Sequence, residues 1–194
     1  MKKSALLAVL LLMLAILLPG RSMAEETKLR DSVLNLSYTP IKMELPKCSQ
    51  KIAVVKFTES KPIKDVGRSS TFRFIPSVDV GTWMAQSVFS QLKSQGFDVQ
   101  YFETMDEAGD MFIITGIANK VYINRPGQLE MKFKVQFDGM VTKNNKLLFA
   151  KNYTSKQEKE MANTGDNAGK LMAGMHDTLD IFLPAAISAV NNAE

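Results

Sequence analysis

The chain has one cysteine and one histidine in 194 residues, and each scarcity closes off chemistry. With Cys48 alone, no intramolecular disulfide can form. The thiol is buried, sits harmlessly at the surface, or bridges to a second chain, which leaves room for a homo-oligomer. It is also in the wrong place for a lipid anchor. A bacterial lipoprotein carries its cysteine straight after the apolar leader, and here Pro19-Gly20-Arg21-Ser22 follows instead.

His176 is the only imidazole, which excludes most acyl-transfer and metal-hydrolase sites. Its i+4 neighbour Asp180 would complete an acid–base pair. No nucleophile is assembled nearby in sequence, so an ordinary helix-surface pair is the simpler reading. Met172, Met175 and His176 share a helix face and offer soft ligands for copper(I). The two methionines, however, fall on the stripe needed for a core, where methionine is a common filler. Gly165–Lys170 lacks the spacing and the preceding strand of a phosphate loop. Asp177 and Asp180 on one helix are too ordinary a pair for glycosidase chemistry. The expectation is a protein that is not an enzyme, with no cofactor and no metal.

Long apolar runs are absent after the first twenty residues. Lys2 and Lys3 are followed by the apolar run Ala5–Leu18, then by Pro19-Gly20 and the small residues of Ser22-Met23-Ala24. That is the pattern of a secretory signal peptide cut before Glu25. At 14 residues the run is short of the roughly 20 that a spanning helix needs. No transmembrane segment remains after cleavage.

A strong excess of one charge is missing too. Removing Lys2, Lys3 and Arg21 lowers Lys+Arg from 24 to 21 against 20 acids, and the net charge from +4 to +1. Nucleic-acid binding needs a concentrated basic face, so no nucleic-acid partner is expected.

What is present is clear alternation. In Leu129–Phe137 every odd position is apolar and every even one polar, which makes a strand with one buried and one wet face. Lys51–Thr58 is apolar on both phases, as in a central strand. Val80, Trp83, Met84, Val88 and Leu92 form a helical stripe between Asp79, a suitable N-cap, and Gly96, a suitable stop. Strands are expected at 97–102, at 111–123 with a bulge near Gly116, and at 129–141 after a hairpin turn at 124–128. Asn144-Asn145 is a tight-turn candidate, since Asn tolerates positive φ. A lysine-rich edge strand follows at 146–154, then a polar connection at 156–164. Asp166–Val190 is helical in pattern, with Pro184 expected to kink or split it.

The expected fold class is α/β (α+β). It is a two-layer sandwich whose mixed five-stranded sheet carries two helices on one face, in the order β-α-β-β-β-β-α. Strand 51–58 should lie between 97–102 and 111–123. The chain divides into a signal peptide (1–24), an extended N-terminal arm (25–50) with a short strand near Val33–Leu36, and a single domain (51–192).

With that order in view, the residues resemble a known family. Phe57-Thr58-Glu59-Ser60-Lys61-Pro62, followed by Val66-Gly67, is similar to the F-x-D-x-R-P…I-G stretch of the YajG-type lipoproteins and the related ABC-transport auxiliary lipoproteins. Leu92–Val99 resembles their L-x-x-x-G-F/Y-x-V junction. Asp110–Asn119 resembles their D-Y-x-I-x-G-x-I strand, and residues 142–146 their T-x-N-N-K turn. The likeness runs in order over about 51–190. Ser60 and Lys61 depart from the pattern, and the lipid-bearing cysteine is absent. The resemblance implies a non-enzymatic accessory or scaffold protein, periplasmic or peripheral at the outer membrane, in a family of which some relatives assist envelope transport by docking on envelope protein partners; without the cysteine, lipid anchoring does not carry over. It supplies no catalytic residues.

The contact candidates are the 59–78 loop, with Lys61, Lys64, Arg68, Phe72, Arg73 and Phe74, and the wet strand face, with Lys132 and Lys134. Thr71–Ile75 would add a short strand. The alternative function is a carrier of a small apolar ligand or lipid, in a pocket lined by Trp83, Phe133 and Met175.

Overall fold

The middle of the sheet is built from the stretch with the fewest polar side chains. Ile52–Val55 (β2) has all four residues buried, which suits a strand covered on both faces. In the computed structural model, which describes residues 29–69, 71–124, 130–160 and 166–193, β2 pairs in parallel with two strands. One is Val99–Phe102 (β5) and the other Phe112–Asn124 (β6). Residues 1–24 and the turn residues after Asn124 lie outside the described residues.

Thr58–Glu59 (β3) lies beside the later part of β6. The expected single strand 51–58 is thus two strands, and the sheet has six members. Glu130–Lys143 (β7) and Lys146–Glu160 (β8) extend it antiparallel, in the order β5-β2-β6-β7-β8. β7 and β8 meet at Asn144 and Asn145, whose φ angles of 50° and 61° are the left-handed values a two-residue hairpin needs.

Two expectations need correction in this meander. The irregularity falls between Ala118 and Lys120, and Gly116 stays in register opposite Gly139. β8 runs to Glu160, through most of what composition suggested was a polar connection. Its outer half is held by pairing with β7, which outweighs its weak alternation.

Val80–Ser94 (α1) starts on Asp79, whose carboxylate accepts from Thr82 N at 2.8 Å and Thr82 Oγ1 at 2.9 Å. Glu59 accepts from Val80 N at 3.2 Å and Ile63 N at 2.7 Å, tying the crossover to the helix start. The chain leaves through Gly96 at φ 85°. Asn167–Asn191 (α2) runs unbroken through Pro184. The expected split does not occur because Leu179, Phe182, Leu183, Ala186 and Ile187, on both sides of the proline, are all buried in one core. Packing holds what the missing hydrogen bond loosens.

Both helices share that core with the odd face of β7. Gly116 and Gly139 leave flat ground for rings. A Cβ on Gly139 would collide with Phe182, and one on Gly116 would lie 2.6 Å from Phe57 Cε2. Phe57, Phe137 and Phe182 pack edge-to-face, with centroids 5.5 to 5.6 Å apart. On the opposite face, a single 3-10 turn at Asp106–Ala108 covers a small cluster of Ala53, Val55 and Ile113.

The N-terminal arm is part of the fold. Arg30–Leu34 (β1) pairs in parallel with Phe72–Pro76 (β4) as a separate two-stranded sheet, so the arm's strand starts earlier than the sequence suggested. Residues 35–50 then cross the outside of both helices. Trp83 Nε1 donates to Ser37 O at 3.0 Å, and Asn191 Nδ2 to Lys47 O at 2.9 Å. Leu36 and Met43 enter the core. Among the described residues no helix is long and apolar enough to cross a membrane.

Candidate functional site

Register decides what stands on the open face of the sheet. Residues directly opposite on adjacent strands point to the same side. Phe133, Val135 and Phe137 point to the helices, so the even positions of β7 point away from them. The rows across β6, β7 and β8 are then Asn124–Lys132–Glu158, Tyr122–Lys134–Lys156 and Lys120–Gln136–Thr154. Beyond them comes Asp138 with Asn152, and Asn119 at the bulge.

Each row has its own chemistry. Lys132 Nζ lies 3.1 Å from both Glu130 and Glu158. The Glu130 hydrogen bond first, then that of Glu158, holds the ammonium above its ordinary pKa. Asp138 accepts from Asn119 Nδ2 at 2.8 Å and Asn152 Nδ2 at 2.7 Å, so amides occupy both its oxygens. Lys120 Nζ lies 4.8 Å from the centre of the Tyr122 ring. Among the described residues, Lys120, Lys134 and Lys156 have no carboxylate partner. The three strands enclose an open cavity of about 330 Å³ over these rows.

The loop candidates divide. Lys61 and Lys64 are exposed on the connection after β3. Arg68 is bound to Asp65 at 2.9 Å. Arg73 makes a two-pronged contact with Asp31, at 2.9 and 3.0 Å. Phe72 is 40% exposed, whereas Phe74 packs against the core. The loop approaches the lysine rows at one point, where Ile123 N donates to Val66 O at 2.7 Å. Lys132 and Lys134 share the open face, as alternation indicated. Lys120, Tyr122 and Lys156 were not singled out from sequence. Their signal is cross-strand pairing: the bulge in β6 sets the register of Lys120 and Tyr122, and the β7–β8 hairpin sets that of Lys156.

His176 is engaged elsewhere. Its Nε2 lies 2.9 Å from Thr39 O, and since a carbonyl only accepts, the proton is on Nε2. Its ring meets Tyr38 edge-on at 4.9 Å. Burial pushes the Tyr38 phenol well above its ordinary pKa. The phenol donates to Gln91 Oε1 at 2.7 Å. Gln91 also accepts from Ile41 N at 3.1 Å and donates to Ile41 O at 2.6 Å. These groups fasten residues 35–50, a strap across the helices, to α1 and α2.

Met175 is fully buried, as a core filler would be. Cys48 is half-buried against the core, beside a second open cavity of about 530 Å³ between strap and helix end. The described residues hold no group of three or more His, Cys, Asp or Glu side chains that could bind a metal ion.

Neither a family model nor a curated protein matches the sequence. Solved structures do. A DUF330 protein from Xanthomonas campestris aligns with a TM-score of 0.64 and 9% identity, over 84% of this chain and 98% of that one. A protein of uncharacterised role aligns at 0.50 and 10%, over 86% and 97%. A PelC dodecamer structure from Paraburkholderia phytofirmans aligns at 0.45 and 13%, over 72% and 93%, too loosely to argue assembly from. The chain therefore has the fold of the DUF330 protein, and at such identity the likeness is one of fold alone.

Proposed function

We propose that this chain is an exported, non-enzymatic accessory protein of the bacterial cell envelope, of the YajG type, that works by docking on other envelope proteins. The observation that carries the reading is the shared fold, which spans 98% of the DUF330 chain. The basic, apolar and small-residue order of residues 1–24 adds the compartment. The interior favours a protein that acts through its surface. Trp83, Phe133 and Met175, which a carrier would need as pocket lining, are at most 2% exposed and closed within the core. His176, the residue an enzyme would lean on, is taken up by the strap.

Cell fractionation with and without residues 1–24, followed by cross-linked pull-down from envelope extract, tests the proposal. The full chain should appear in the periplasmic fraction and capture a defined envelope protein, and the truncated chain should stay in the cytoplasm. Full-length chain retained in the cytoplasm would refute the export; a periplasmic chain that captures nothing would refute the docking role.

A further inference from the structure

Lys134 and Lys156 stand directly opposite each other on β7 and β8. Like charges at facing positions of an antiparallel pair, with Cβ atoms about 5 Å apart, destabilise the sheet that holds them. Nearby groups do little to relieve this. The third member of the row is Tyr122, whose ring already carries Lys120. Glu158 faces Lys132 and is bonded to it. Asp138, further in, is engaged on each oxygen by an amide. The cavity over these rows is lined by four lysines against one glutamate, together with Tyr122 and Asn124. At about 330 Å³ it lies at the small end of ligand sites.

We infer that this cavity is an anion site for a phosphoryl-class group, held by Lys134 and Lys156 with Lys120 at its rim. An entering phosphoryl group would put negative charge within reach of two lysines at facing positions, converting a repulsion into two charge-assisted contacts. Lysine supplies point charges on flexible stems, without the planar fork of arginine. The site therefore selects for charge density and compact size over a particular anion outline. Asn124 and Tyr122 add neutral hydrogen-bonding groups at its wall.

Two sources present this chemistry, a free phosphorylated molecule and a phospholipid headgroup. Isothermal titration with inorganic pyrophosphate tests the first, and co-sedimentation with phosphatidylglycerol vesicles the second. Both are run at constant ionic strength, because exposed charges are screened by salt. The variants are Lys134→Gln with Lys156→Gln, and, as a control outside the cavity, Lys61→Gln with Lys64→Gln. Pyrophosphate binding weakened at least about tenfold by the first pair alone establishes the site with a free ligand; vesicle binding lost by the first pair alone establishes it with a headgroup. In addition, the first pair should melt higher than the parent chain without ligand, because the facing charges are gone, and should lose any thermal shift with pyrophosphate. Equal binding by parent and both variants in both assays would overturn the inference, as would no binding to either ligand.

Discussion

Gly116 and Gly139 face each other across β6 and β7, and the rings of Phe57 and Phe182 lie where their side chains would be. Two strands thus clear a bay for aromatic side chains arriving from the crossover and from α2. Gly139→Ala should destabilise the protein by roughly 1–3 kcal/mol, as overpacking does. Gly96→Ala should cost about 1 kcal/mol through its positive φ alone, since nothing lies within 4 Å of an added Cβ there. Urea unfolding of both variants checks the order. A neutral Gly139→Ala would mean that the bay is looser than described.

The strap makes its own prediction. Gln91 is fully buried, and its amide answers Tyr38 OH, Ile41 N and Ile41 O. Gln91→Leu leaves Tyr38 OH and Ile41 N without that acceptor, while Ile41 O keeps Gln95 Nε2 at 3.0 Å, at a cost of about 2 kcal/mol. The loss should be local as well as global. Limited proteolysis should cut within 35–48 faster than in the parent, while the sheet stays protected. Unchanged cleavage there would show that Leu36 and Met43 hold the strap without the amide.

Asp79 should shape the acid side of the stability curve. Partial burial pushes its carboxyl up, but the Thr82 backbone and side-chain bonds and Lys56 at 3.4 Å outweigh it, so its folded pKa lies below the ordinary value. A depressed folded pKa adds stability above the unfolded value of about 4, and this is lost as pH falls through the folded value. Asn also caps helices but does not titrate. Asp79→Asn should therefore be less stable than the parent near neutral pH, and the gap should close below about pH 4. Melting temperatures from pH 2 to 7 measure it. A constant gap would assign the effect to the cap geometry.

How much of this the sequence shows depends on the range of the interaction. Leu129–Phe137 displays its buried face by alternation, and Val80–Leu92 its stripe, because both signals are local. Asn144-Asn145 announces its turn for the same reason. The β1–β4 pairing joins residues about forty apart with weak patterns on both sides, and nothing local in 25–50 says that the arm will cross two helices. Pro184 suggests a break in the helix, and propensity alone does not show the core that keeps the helix continuous across it. The lysine rows sit between these cases. Lys132 and Lys134 are legible from alternation, whereas Lys120 joins them through the one-residue bulge at Asn119 in β6, and Lys156 through the register of the β7–β8 hairpin.

An exported protein that works through its surfaces, as proposed above, carries an interior filled by its own side chains. Native mass spectrometry of the protein purified from periplasm tests it most directly. The expected mass is that of the given sequence cleaved before Glu25, with no apolar ligand bound. A retained N-terminal segment would contradict the export, and a co-purifying lipid that stays bound when Lys134→Gln and Lys156→Gln remove the surface charges would contradict the filled interior.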